Sequence, residues 1–474
     1  MIRRTINELA AMAGAELANT NANRNAMVET DRLIEGVMTD TRAAKPGSLF
    51  VPIRGERFDG HDFVQDAVNN GAAAALWCRD VVIPDGLTIP LLLVDDTLAA
   101  IQQLSAAYRS HLKTKVIGIT GSNGKTSTKD ILAGLLATTF KTQKTPGNFN
   151  NHLGVPLTLL QLEEDTEMAV VEMGMSDLGE IAMLSRLAQP DAAIITSISE
   201  VHLGDLHTRE RIIEAKLEIM QGLQPGSPLI YNADNPQFVR ALGANPLIDE
   251  LKLVPFGSEA GHAYYPTGYV TNETGTTFTI SDRACPVLFT PLLGRHQMLN
   301  ALGAIAAARY CGVTYENIRQ GLREAAVTGM RNEQIRLGSS LVINDAYKSN
   351  PASLRAALDM LYCVHPDKKK IAVIGNMVEL GEEAAELHRN IGSELQMEQI
   401  DLLVTIGEMA AELGAAARAR YPQAAVLHCE DKAAITELLR EQLREPSVVL
   451  IKGSRALQLE DIITALRTEE SVAS

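Results

Sequence analysis

"VIGITGSNGKTSTKD", residues 116–130, decides how this chain folds. The apolar run ending at Thr120 reads as a buried strand, Gly121-Ser122-Asn123-Gly124 as a turn, and Lys125-Thr126-Ser127 as the opening of a helix. Backbone N–H groups of such a turn, joined to a helix N-terminus, point at a single anion. The stretch misses the G-x-x-x-x-G-K-[ST] phosphate loop at one position; in that loop the lysine reaches the β- and γ-phosphates and the hydroxyl ligates Mg2+. The first glycine of that pattern is replaced by Ile119. A strand–helix turn with a fortuitous Lys-Thr is the plainer alternative, and the strand and helix around it argue against it.

Downstream of this loop, apolar runs alternate with helical stretches: "MAVVEM" (168–173), "AAIITSI" (192–198) and "PLIYNAD" (228–234). Runs buried along their whole length indicate parallel strands. Residues 257–290 are rich in Gly, Thr and Tyr and read as an antiparallel ribbon, and "GRHQMLNALGAIAAARYCG" (294–312) as a helix. After "TGMRNEQIRLG" (328–338) the rhythm restarts with "LVINDAY", "IAVIGNM", "LLVTIGE" and "VVLIKGS", as in a Rossmann-like domain without the dinucleotide glycines. Upstream, Leu98, Ile101, Leu104 and Tyr108 share one helical face, and "RSHLKTK" (109–115) makes a boundary. The organisation expected is α/β throughout, in three domains: 1–112, 113–327 and 328–474.

Bulk properties narrow the function. With 474 residues the chain is too long for one core. A net charge of −15 excludes the basic footprint of a nucleic-acid binder, so an anionic ligand has to be held by local donors. Five scattered cysteines form no CxxC pair and suggest neither a disulfide framework nor a zinc site. "MIRRTINELAAMAGAEL" (1–17) meets Glu8 and Glu16 too early for a signal peptide and reads as a short amphipathic helix. No apolar run reaches membrane-spanning length. A cytoplasmic protein without nucleic-acid or membrane partners is expected.

Other stretches carry chemistry of their own. Glu172 ends a buried strand of the loop's sheet, where an acid can hold a metal. In "TPGNFNNHLGVP" (145–156), Asn148, Asn150, Asn151 and His152 make poor core material and good polar recognition material. "INDAYKSNPASL" (343–354) runs a strand into Asp345, Tyr347 and Asn350 at the crevice position of an α/β sheet. Near the N-terminus, Asp40, Thr41, Arg42, Arg54 and Arg57 form either a second anion site, through arginine's forked donors, or an ordinary charged loop. His202 and Lys216 gain no role from spacing alone.

Taken together, "TGSNGKTS", "GNFNNHLGVPLTLL", "VVEMGMS", "NADN", "GRHQMLNALGA", "NDAYKSNPASLRAAL", "ELGEEAAELH" and "IKGSR" resemble the Mur ligase superfamily, which also includes folylpolyglutamate synthetase. That superfamily's loop is G-x-x-G-K-T, which accounts for the missing glycine. The resemblance implies a small mixed α/β N-terminal domain binding a uridine nucleotide, a central P-loop ATPase-type sheet, and a Rossmann-like C-terminal domain. "NFNNHLGVP" and "AYKSNPAS" are similar to the branch that joins D-alanyl-D-alanine to UDP-N-acetylmuramoyl-tripeptide. Another Mur-type amino-acid ligase, folylpolyglutamate synthetase or a P-loop binding protein without ligase activity are the alternatives.

The cofactors implied are ATP and two Mg2+ ions, acting in a monomer during peptidoglycan precursor synthesis. Gly121, Ser122, Asn123, Gly124, Lys125, Thr126, Ser127, Asn300, Arg331 and Asp345 would bind the nucleotide. Thr126, Glu172, His202 and a carbamylated Lys216 would hold metal, with Lys125, His202 and Lys216 catalytic. Thr41, Arg42, Asn148, Asn150, Asn151, Tyr347 and Asn350 would bind substrates. Lys348, Asn376 and Ser197 depart from the usual pattern of Asn, Asp and Asn.

Overall fold

A computed structural model describes residues 1–18, 30–43, 45–201 and 203–473. Its centre is a six-stranded, wholly parallel sheet in the order Lys252–Phe256, Pro228–Asn232, Ala192–Ile195, Lys115–Thr120, Met168–Glu172, Thr142–Lys144. The strand that opens this sheet in sequence lies in its interior, with later strands added on both sides. The phosphate loop therefore leaves the carboxyl end of a strand flanked by Glu172 and Ile195, where an open α/β sheet forms its crevice.

Met168–Glu172 and Ala192–Ile195 are buried at every position, which is why they read as unbroken apolar runs. The two edge strands, Thr142–Lys144 and Lys252–Phe256, were not apparent from the sequence. They are short or half-exposed and carry polar residues that blur the pattern. Behind the loop, the helix Lys125–Ala137 packs on the helices Arg295–Tyr310 and Tyr315–Arg323. Pro266–Asn272, Gly275–Ile280 and Leu288–Thr290 form the expected antiparallel ribbon.

The N-terminal region holds a five-stranded sheet, Glu16–Ala18, Leu91–Val94, Ala74–Cys78, Leu49–Phe50, Val37–Met38. The first 17 residues are not one helix. Arg3–Thr5 is a strand, Thr5 caps the helix Ile6–Ala13 in a reciprocal box with Glu8, and a further strand follows at Glu16–Ala18. The helix Thr97–His111 buries Ile101, Leu104 and Tyr108 against the helices Gly154–Leu160 and Glu180–Ala188. A single apolar cluster consequently runs from Ile2 to Leu242, across the connection at residue 112.

The C-terminal sheet is also six-stranded: Glu333–Leu337, Ser340–Asp345, Ser447–Lys452, Lys369–Gly375, Leu402–Ile406, Val426–Cys429. Its first strand is antiparallel and the rest are parallel. The four central strands match the sequence reading, and the two flanking ones are again edge strands of mixed polarity. Separate apolar clusters cover its two faces. Among the described residues no helix is long and apolar enough to cross a membrane.

Candidate active site

Residues of the central and C-terminal regions together line a cavity of about 700 Å³. Ser122–Ser127, Asn148, Asn150, Asn151, Glu172 and Asn300 line it from the central region, and Arg331, Asp345, Tyr347, Lys348 and Lys452 from the C-terminal one.

The loop's shape depends on its glycines. Gly121 and Gly124 have φ of 141° and 84°, and a Cβ on either would collide with Thr196 Oγ1 or Asn300 Oδ1 respectively. The strand-end segment 196–199 grips the loop from beside. Thr196 Oγ1 donates to Asn123 O (2.6 Å), Ser197 Oγ donates to Asn123 O and accepts from Asn123 N (3.0 Å each), and Asn123 Nδ2 donates to Ser199 Oγ (2.9 Å). Ser197 thus acts as a hydroxyl clamp on the loop backbone. Lys125 Nζ donates to Gly121 O (2.7 Å) and Ser122 O (3.3 Å). Burial pushes its ammonium down to about 8, against the opposing pull of Glu172.

Glu172 is 1% exposed. Its Oε1 accepts from Thr126 Oγ1 (3.1 Å) and Asn150 Nδ2 (2.8 Å), while its buried Oε2 has no hydrogen-bond partner. A hard anionic oxygen with free lone pairs beside a hydroxyl fits a Mg2+ ligand set. Among the described residues no three His, Cys, Asp or Glu side chains gather into a metal site. His202 lies outside the described residues. Lys216, on the helix Arg209–Leu217, is 1% exposed, and its Nζ is buried without a hydrogen-bond partner. Burial, with repulsion from Lys125 and Lys348, drives its ammonium well below the ordinary lysine value. Glu218, two residues on, caps the helix Glu180–Ala188 by accepting from Gly179 N and Ala182 N.

Across the cavity, Asp345 and Lys452 stand side by side at the ends of paired strands. Lys452 Nζ donates to Asp345 Oδ2 (2.6 Å) and Lys348 O (3.0 Å). Lys452 is a site-lining residue that spacing did not single out, although it opens the quoted "KGSR" at a strand end like that of Asp345. The Arg331 guanidinium lies 4.1 Å from the centre of the Tyr347 ring. Met330 and Asn332 on either side of it adopt left-handed φ of 60° and 58°. Burial pushes His296, also in the lining, down to about 4.

The C-terminal domain also touches the loop itself. Asn350 Nδ2 donates to Asn123 Oδ1 (2.7 Å), Asn123 Nδ2 donates back to Asn350 Oδ1 (3.2 Å), and the latter oxygen caps the helix Pro351–Cys363. A second contact joins Gly204 N to Glu379 O (3.1 Å). Lys348 pairs with Glu379 (2.7 Å) at the cavity wall. Asn376 stands apart from the cavity, accepting from Ala410 N (2.9 Å) at the start of the helix Glu408–Arg420. Asn151 Oδ1 accepts from Gly154 N (2.8 Å), so part of its amide caps a helix. Thr41 and Arg42 are outside this cavity. Arg42 is exposed and forked onto Asp40, whose carboxyl its hydrogen bonds hold down to about 2.

A phosphate loop whose neighbouring domain reaches over it can pass phosphate to a substrate held opposite, the arrangement of an ATP-dependent ligase. Family models match nearly end to end: "Mur ligase family, catalytic domain" over residues 33–109, "Mur ligase middle domain" over 119–308, and "Mur ligase, glutamate ligase domain" over 330–455. The chain is 42% identical to the UDP-N-acetylmuramoyl-tripeptide–D-alanyl-D-alanine ligase of Bacillus subtilis, over 98% of this chain and 99% of that one. Among solved structures it is similar to MurF from Acinetobacter baumannii, with a TM-score of 0.86 and 29% identity over 98% of this chain and 99% of that one. It is also similar to MurF ligase from Thermotoga maritima in complex with ADP, with a TM-score of 0.80 and 27% identity over 93% and 98% of the two chains. The chain belongs to the Mur ligase family, in its D-alanyl-D-alanine-adding branch.

Proposed function

We propose that this enzyme joins D-alanyl-D-alanine to UDP-N-acetylmuramoyl-tripeptide at the expense of ATP, in peptidoglycan precursor synthesis. The terminal carboxylate of the tripeptide takes the γ-phosphoryl group of ATP, giving an acyl phosphate and ADP. The dipeptide amine then attacks the acyl carbon, and phosphate leaves through a tetrahedral intermediate. The shared cavity carries this reading, because it brings the phosphate loop and the side chains of the third domain to one space. Sister ligases and a non-catalytic P-loop protein are not favoured, since the relative matched end to end bears this activity in its name.

Catalysis of this kind is positioning plus charge neutralisation and needs no protein nucleophile. Lys125, with Gly121–Ser127 around it, holds the β- and γ-phosphates. Asn300, Arg331 and Asp345 contact the nucleotide from the sides, with Lys452 fixing Asp345. Residues 1–112 hold the uridine nucleotide, using Thr41 and Arg42. Asn148, Asn150, Asn151 and Tyr347 hold the peptide ends, while the central domain, 113–327, and the last domain, 328–474, enclose the acyl phosphate against water.

Thr126, Glu172, His202 and Lys216 would hold two Mg2+ ions, which neutralise phosphate charge when bound. Lys216 serves as a carbamate: its buried amine, held well below the ordinary lysine value, adds CO2 and loses a proton, giving a hard oxygen ligand where an ammonium would repel the metal. One copy of the chain, in the cytoplasm, suffices for the reaction.

Phosphate release that needs both the UDP-tripeptide and D-alanyl-D-alanine tests the reading. Release independent of any amine would overturn it. For Lys216, both Ala and Arg variants should lose activity, and formate or acetate should partly restore Lys216→Ala. An active Lys216→Arg enzyme would eliminate the carbamate.

A further inference from the structure

Behind the phosphate loop lies a pair of charged residues that the reaction as described leaves unused. Lys129 and Asp130 are adjacent on the helix Lys125–Ala137, 0% and 4% exposed. Burying charge is costly unless it is paired, so both have to be compensated.

Lys129 Nζ makes one hydrogen bond, to Gly147 O of the asparagine-rich loop (2.8 Å). It stands 3.8 Å from Glu172 Oε2 and 3.6 Å from Asp130 Oδ1. At that distance it offsets the Glu172 charge without occupying the oxygen's lone pairs. Asp130 faces the other way. Its Oδ1 accepts from Lys144 Nζ (2.6 Å), and its Oδ2 accepts from both Thr328 N and Thr328 Oγ1 (2.8 Å each). Thr328 opens the strained turn that carries Met330, Arg331 and Asn332 into the C-terminal domain. A continuous polar chain thus runs from Thr126 and Glu172, through Lys129 and Asp130, to the connection between the last two domains. The plain alternative is a buried ion cluster that only stabilises the fold.

We propose that Lys129 and Asp130 are positioning residues that tie the Glu172 carboxylate and the 146–152 loop to the Thr328 hinge, so that filling the phosphate end of the site steadies the C-terminal domain. Lys129 sets the direction of Glu172 and the height of the loop carrying Asn148 and Asn150. Asp130 holds the hinge amide, and with it the approach of Arg331. This inference rests on the ligase reading for its rate measurement and is independent of it for its structural one.

Hydrogen–deuterium exchange over residues 326–332 of the full-length chain, with and without Mg2+ and ADP, is the direct test. In the unaltered chain the nucleotide should slow exchange at Thr328. In Asp130→Asn, which keeps size but loses the anion, that slowing should disappear. The kcat should fall about tenfold, with the KM for ATP unchanged within about twofold, the order expected when a group supporting a ligand-bearing residue is altered. Thr328→Val, which removes one of the two donors, should move both readouts the same way by less. A lowered melting temperature with kcat and nucleotide-dependent slowing retained in Asp130→Asn would reduce the pair to a structural role and overturn the proposal. If the unaltered chain released no phosphate in response to both substrates, the ligase reading would fail, and the exchange comparison would still decide the link.

Discussion

The two six-stranded sheets look alike in outline yet build their halves of the cavity differently. The central sheet uses backbone: two glycines in conformations closed to other residues, a helix N-terminus, and a carboxylate oxygen left without a hydrogen-bond partner. The C-terminal sheet uses side chains on neighbouring strands, Asp345 and Lys452, satisfied by each other. A backbone cradle specifies its ligand by shape and costs little stability when a single side chain is lost. A buried ion pair is part of the fold, and breaking it disturbs the domain as well as the site.

That contrast can be broken by mutation. The largest effect is expected from Asp345→Ala, which leaves the buried Lys452 ammonium without its counter-charge and held only by the Lys348 carbonyl. It should destabilise the C-terminal domain by about 3 kcal/mol, the low end for an orphaned buried charge, as measured by denaturant unfolding. Unchanged stability would show that the pair is not load-sharing with the core. Lys125→Ala should do the reverse. The rate should fall by about 10²- to 10³-fold, as when one oxyanion donor is deleted, while binding of the UDP-tripeptide stays in place and the unfolding midpoint does not fall. Near-normal phosphate release with both substrates would remove the loop lysine from the mechanism.

A subtler effect separates the two halves by pH. Lys125 loses its proton near pH 8, below the ordinary 10.5. Because the cation is the form that meets phosphate, kcat/KM for ATP should decline as pH rises through about 8. Between about 8 and 10.5 the unfolded chain binds more protons at this residue than the folded one, so its contribution to stability rises with pH over the same window. Activity and stability should therefore move in opposite directions, and Lys125→Met should flatten both contributions. A pH profile for ATP capture that stayed level from 7 to 9 would contradict the assignment.

How much of this was legible in the sequence follows from the same contrast. Gly121-x-x-Gly124-Lys125-Thr126 announces itself because its residue types are dictated locally, by φ angles and a helix start. Fully buried parallel strands are equally visible. Edge strands such as Thr142–Lys144 and Val426–Cys429 are not, since half their side chains face solvent and break the apolar run. Lys452 was hidden for a different reason: its role comes from register with Asp345, 107 residues earlier. Lys129 and Asp130 look like ordinary helix-surface charges until packing buries them. The reciprocal amides of Asn123 and Asn350 lie 227 residues apart and belong to two domains, so no local pattern signals the pair.

The apolar cluster that runs from Ile2 to Leu242 bears on how the protein melts. Three architectural domains need not be three cooperative units. The helix Thr97–His111 packs both on the N-terminal helix Ile6–Ala13 and on the central helices Gly154–Leu160 and Glu180–Ala188, so detaching the N-terminal domain would expose apolar surface along it. The C-terminal sheet carries its own cores on both faces. The clusters therefore predict two cooperative units in thermal unfolding, a large one made of the first two domains and a smaller one that opens at the Thr328 junction.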